Sequence, residues 1–225
     1  MAAAAGLAAA CDIFYTRGKA VAWFNAAVAA LGQKPSDFLQ KFCLWLVECR
    51  GSGTKESDFS DDDIGEMQQL FLKHLFSGNK VRKFLPLLHD LVSYHHQYAA
   101  VLLAPPAETG ADSRDPDNSD TNGFRLAPSA RTVHFTYDIE ELLDCGEPRI
   151  PWMYEHLRPS GSQAVIYRNN GMVCTESLAL PYILLLEQIR DGDAGDGQSG
   201  TVLTGEEAHE FLEFALQEGI LLNVG

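Results

Sequence analysis

The chain has 225 residues, 46% hydrophobic and 21% charged, with a formal net charge of −14 at pH 7, a composition that suits one large or two small packed domains. Residues 1–104 hold ten Lys/Arg against ten Asp/Glu, whereas residues 105–225 hold seven Arg, no Lys and twenty-one Asp/Glu. Nucleic-acid affinity rests on neutralising phosphates, so the second half should repel DNA and RNA, and nucleic acid is excluded as a partner.

Met1 to Ala10 is apolar, but it lacks a basic leader and runs at once into Asp12 and the Arg17/Lys19 pair, so it reads as a ragged start and not as a secretion signal. From Gly18 to Leu31 the residues Val21, Trp23, Phe24, Ala27, Val28 and Leu31 recur at helical spacing, with Gly32 placed to end the run. A second helix follows Lys34-Pro35-Ser36 and carries Phe38, Leu39, Phe42, Cys43, Leu46 and Val47 on one broad face up to Gly51. Ser60 before Asp61, Asp62 and Asp63 is an N-cap with acids in the first turn, opening a third helix to Ser77-Gly78. A fourth is expected from Asn79 to about Leu103, with Pro86 either in its first turns or kinking it. Four helices with short connections predict an antiparallel bundle over residues 12–103.

Residues 104–128 are rich in Pro, Gly, Asp, Ser and Asn with almost nothing to bury, and they read as a flexible linker between domains. In residues 129–225, Thr132 to Tyr137 alternates as a half-buried strand does, and Asp138 caps a short helix through Leu143. A further helical turn or two is expected over 150–157. Gln163–Arg168 and Met172–Glu176 flank Asn169-Asn170-Gly171, a hairpin signal. Leu178 to Ile189 reads as a buried helix, Thr204-Gly205-Glu206-Glu207 is a capping box, Gly219 ends that helix, and Ile220 to Val224 returns as a strand. The expected class is α+β: a helical bundle followed by a small winged-helix-like module.

Motifs for chemistry are scarce. His89, His95 and His96 share the fourth helix, but no thiol or well-placed acid completes the three or four ligands that zinc needs, so no metal site is assigned. Cys145 with His134 or His156 is a coincidence of residue types without a triad motif, and no catalytic residue is assigned. Asp191 to Gly197 lacks the bidentate Glu of a calcium loop and reads as a solvated acidic segment. The five cysteines, Cys11, Cys43, Cys49, Cys145 and Cys174, are odd in number and show no metal spacing; they read as reduced thiols in the cytoplasm. Trp23, Phe24 and Trp45 belong to an aromatic stripe that is core or else lines an apolar cavity or partner-docking face.

Phe14-Tyr15-Thr16-Arg17-Gly18-Lys19-Ala20, continuing through Trp23-Phe24, Lys34-Pro35-Ser36, Phe42 and Trp45-Leu46, resembles the helical C-terminal portion of cobalamin-binding-domain radical SAM proteins. The cluster motif CxxxCxxC and the cobalamin motif DxHxxG of such proteins are both missing from the sequence. The resemblance therefore implies an accessory region whose cobalamin, iron-sulfur cluster and S-adenosylmethionine belong to a partner or to another region. Residues 130–225, with Ala164-Val165-Ile166-Tyr167-Arg168 before the turn and a Glu-rich last helix, look like the winged-helix modules that bind precursor peptides for radical SAM enzymes. That resemblance implies an extended peptide added to a sheet edge beside a helix, with contacts at Val165, Tyr167, Arg168, Glu207, Glu210 and Phe211.

The expected function is thus a non-catalytic accessory protein that docks on a partner enzyme and binds a peptide or protein segment. Alternatives are the C-terminal part of a cobalamin-dependent radical SAM enzyme, and a winged-helix regulator, which the absence of Lys and Arg from the last helix disfavours.

Overall fold

The computed structural model describes residues 2–51, 56–105, 123–191 and 203–223, and it is a mixed α+β protein with helices toward the N-terminus and small antiparallel sheets in the C-terminal part. Two compact units divide the chain, one of Met1–His96 with Thr136–Ser160, the other of Gln97–Phe135 with Gly161–Gly225. No helix among the described residues is long and apolar enough to cross a membrane.

In the first unit, the expected ragged start is a helix, α1 (Ala2–Cys11), in keeping with alanine's helix propensity. A six-residue π-helical turn, Asp12–Arg17, follows directly. The expected helix from Gly18 to Leu31 is broken. Lys19 takes a left-handed conformation (φ 54°), Ala20–Ala22 form a 3₁₀ turn, and only Phe24–Ala30 is α-helical (α2). Its end is a Schellman arrangement: Gly32 at φ 62° donates to the Ala29 carbonyl and Gln33 N–H donates to Val28 O at 3.2 Å.

Helix α3 (Pro35–Arg50) has its proline at the first turn, and α4 (Asp61–Leu75) begins with a full capping box in which Ser60 and Asp63 bond each other's backbone N–H. A 3₁₀ turn at Arg82–Phe84 precedes α5 (Leu85–Leu103), so Pro86 lies in the first turn, where its missing N–H costs no helix bond, and residues 79–84 are not α-helical as expected.

Phe14, on the π turn, is fully buried at the centre of this core, with ring centroids of Phe42, Phe38, Trp23 and Phe71 at 4.8, 5.2, 5.7 and 5.8 Å. Edge-to-face contacts dominate, the arrangement that aromatic quadrupoles favour. Gln68 of α4, buried among these rings, donates from Nε2 to the carbonyls of Phe14 and Gly18, each at 2.8 Å.

Residues 136–160, which the sequence groups with the C-terminal region, pack with these helices. The buried Asp90 carboxylate accepts from the backbone N–H of Thr136 (2.9 Å) and Tyr137 (2.8 Å). Asp138 then caps α6 (Ile139–Asp144), and α7 (Ile150–His156) sets Tyr154 edge-on to Phe84 at 5.5 Å.

In the second unit, β2 (Arg131–Phe135), β3 (Ser162–Asn169) and β4 (Met172–Ser177) form an antiparallel sheet in the order β2-β3-β4. Asn170 (φ 50°) and Gly171 (φ 81°) make the two-residue turn, pairing Asn169 with Met172. Helices α8 (Leu180–Asp191) and α9 (Gly205–Gln217) follow, the latter with the expected Thr204–Glu207 capping box. Of the expected linker, residues 106–122 lie outside the described residues. Its end is a strand, β1 (Phe124–Leu126), paired antiparallel with β5 (Leu221–Asn223) in a second sheet, too short for an alternation to betray it.

Candidate functional site

Strand β3 is central in its sheet, and five of its first six residues are buried, because both of its edges are paired and neither face is open. The register places Thr132, Val165 and Glu176 side by side, then Tyr167 beside Cys174. Val165, Tyr167, Leu186, Phe211, Ala215 and Ile220 form one apolar cluster against α8 and α9, with Cys174, Tyr182 and Leu212 packed around it. Val165, Tyr167 and Phe211 are thus brought together, as core rather than as a contact surface.

Tyr167 keeps one polar function. Its hydroxyl donates to Glu218 Oε2 at 3.1 Å, and Asn169 Nδ2 donates to the same oxygen at 2.6 Å, so Glu218 ties the hairpin to the end of α9. Burial, then the bond to Glu218, pushes the Tyr167 phenol well above its ordinary range. Glu218→Ala would strand a buried hydroxyl, and a loss of about 2 kcal/mol is expected in urea unfolding, against a small loss for Glu218→Gln, which keeps an acceptor. Equal losses for the two variants would remove this role.

Arg168 lies on the opposite face and donates to the carbonyls of Val101 (2.9 Å) and Leu102, a cation at the C-terminal end of α5 where the helix dipole favours it. Glu207 is exposed but spent in the capping box, accepting from Thr204 N–H and Oγ1, both at 2.9 Å, which holds its carboxyl below the usual range. Glu210, on the same helix, is exposed. In the first unit, Trp23 and Phe24 are buried core, so neither offers a docking face; Trp45 is half-buried and stacked on Phe42 at 6.0 Å.

No group of three or more metal-ligating side chains occurs among the described residues. Cys145 donates to the Glu141 carbonyl at 3.2 Å, and burial raises its thiol. His134 pairs with Glu187 at 3.2 Å, and His156 stacks on Trp152 and bonds its carbonyl at 2.8 Å. Residues 192–197 of the acidic Gly-rich loop lie outside the described residues; Asp191, which ends α8, pairs with Arg190 at 2.7 Å.

The resemblance implies a sheet edge as the docking place, but the expected contact residues lie on β3 and α9 and none lies on the edge strand β4. Among the described residues β4 pairs with β3 on one side only, its residues are exposed or half-buried, and Met172 is 68% exposed. In a two-residue hairpin the closing pair is hydrogen-bonded and the pattern alternates, so Met172, Cys174 and Glu176 face β3 with their main-chain groups, and those of Val173 and Ser177 point outward. The Asn-Gly turn carried this information in the sequence, once its register is counted. No protein-family model matches the chain, and no curated protein is significantly similar to it.

Proposed function

We propose that this chain is a non-catalytic binding protein that takes an extended peptide or protein segment as a fourth strand on the outer edge of β4. The observation that carries this reading is that, among the described residues, β4 pairs only with β3 and directs the main-chain groups of Val173 and Ser177 outward. The hairpin β3–β4, then α8, α9 and β5, is the element order of a winged-helix-like module, and the helices of the first unit are read as an antiparallel bundle that docks on a partner.

The resemblance to radical SAM proteins makes such an enzyme the partner class, with cobalamin, cluster and S-adenosylmethionine held there. Free cysteines among the described residues suit a reducing compartment, the cytoplasm. Glu210 and Glu176, both exposed beside this edge or on α9, favour a segment without excess negative charge.

The reading is tested with displayed random peptides selected on the wild-type chain and counter-screened on Val173→Pro, which removes an outward N–H while leaving the bonds to β3. Peptides that lose at least tenfold in affinity for the variant, with its melting curve preserved, support strand addition. Selected peptides that bind both proteins equally, or a selection that yields none, would reject it.

A further inference from the structure

Within the first unit, α4 and the part of α5 up to His96 meet along a polar seam. His89, Ser93 and His96 recur at i, i+4 and i+7 on one face of α5, and Gly65 and Gln69 are four apart on α4. His89 bonds the Gln69 backbone through its ring, and Gln69 Nε2 donates to Ser93 Oγ at 3.0 Å. The His96 ring lies directly on the α4 backbone at Gly65, where an added Cβ would stand 3.0 Å from Nε2 and 3.1 Å from two ring carbons. Both His89 Nε2 and His96 Nε2 are buried and have no hydrogen-bond partner, so neither has an acceptor for a second ring proton.

We propose that this seam is a pH-sensitive latch: uncharged His89 and His96 hold α4 against α5 at neutral pH, and their protonation releases α4. A proton on either Nε2 would place a charged N–H at a buried atom with nothing to accept it, a state that opening the seam to water relieves. The charged groups around the two rings do not reverse this. Asp61 and Asp62 of α4 face His96 and favour its charged form, Lys19 from the segment after the π turn opposes it, and Lys73 of α4 opposes the charge on His89. Burial outweighs the two aspartates, and both imidazoles stay below the ordinary 6.5.

The closed seam therefore binds fewer protons than the open one. Its stability is complete above pH 6.5 and falls as pH drops from there to the closed-state values, by about tenfold in the opening equilibrium per histidine and pH unit. His95 is also held low by burial, but it lies about 100° round the helix from His96 and off the seam, which makes it the internal control.

The test is amide hydrogen exchange on the full chain at about pH 7.5 and about pH 5.5, corrected for intrinsic rates, comparing residues 61–75 with 205–217. Protection over α4 is expected to fall by tenfold or more on acidification while α9 changes little. His95→Gln should keep that difference, and the paired substitution His89→Asn with His96→Gln should abolish it. An equal change in both helices, or a paired variant that retains the full drop, overturns the latch. Should the paired variant fail to fold, imidazole titration by NMR on the wild type decides: midpoints at or above 6.5 overturn it, and midpoints below 6.5 that coincide with loss of α4 protection uphold it.

Discussion

Gly18→Ala is expected to cost about 4 kcal/mol or more in folding stability, one of the two largest single-site effects in this chain. The backbone there is ordinary (φ −71°, ψ 1°), so the demand for glycine is one of space and not of conformation. A Cβ would fall on the Phe14 carbonyl oxygen and the Gln68 amide nitrogen, both on the inside of the fold. To admit it, Gln68 must leave, giving up its bonds to Phe14 O and Gly18 O and stranding two buried carbonyls, while Phe14 is displaced from the centre of the aromatic core. Gln68→Ala removes the two hydrogen bonds without the clash and should cost less, about 2–3 kcal/mol. Guanidinium unfolding of the three proteins ranks them; a Gly18→Ala variant within about 1 kcal/mol of wild type would show that the close approach is not needed.

The same pair of residues shows what a sequence can and cannot disclose. Ser60 with Asp63, Thr204 with Glu207, Asp138 and the Asn170-Gly171 turn all act over two to four residues, and each was legible because the partner lies in the same short window. Gln68 acts over 50 and 54 residues, and Asp90 over 46 and 47, and no local pattern announces either. Lys19 in a left-handed conformation interrupts a helical periodicity that the apolar residues 21–31 display without it, because tertiary packing around Gly18 overrides propensity.

The candidate site was half legible for a related reason. Val165, Tyr167 and Phe211 are expected as peptide contacts, but apolar residues look alike in sequence whether they face a ligand or a neighbouring element, and here the two β3 residues and Phe211 of α9 belong to one core cluster. Among the described residues β4 is an edge strand of the β2-β3-β4 sheet, and its mixed residues, exposed or half-buried, do not tell in sequence which of its sides is paired.

Asp90→Ala is expected to destabilise the chain by about 3–5 kcal/mol, as removal of a buried charged acceptor does. Asp90 is 5% exposed, and its Oδ2 takes both the Thr136 and the Tyr137 N–H, so alanine leaves two donors unmatched where residues 136–160 join the N-terminal helices. Burial raises the Asp90 carboxyl above its ordinary 3.8, although the two backbone N–H groups pull it down. The folded state therefore binds this proton more tightly than the unfolded one: the associated stability is full below 3.8 and is lost as pH rises through the folded value. The sign is opposite to that of His89 and His96, whose contribution disappears as pH falls below 6.5. Asp90→Asn, neutral at every pH and with an amide oxygen that can still accept from the two backbone N–H groups, should cost less than Asp90→Ala and should remove the stabilising acid limb while leaving the histidine-driven loss in place. Urea unfolding across about pH 4 to 8 separates the two. If Asp90→Asn retains the wild-type profile at its acid end, Asp90 is not the group that titrates there, and if Asp90→Ala costs under about 1 kcal/mol, the carboxylate does not hold residues 136–160 to the N-terminal helices of the first unit.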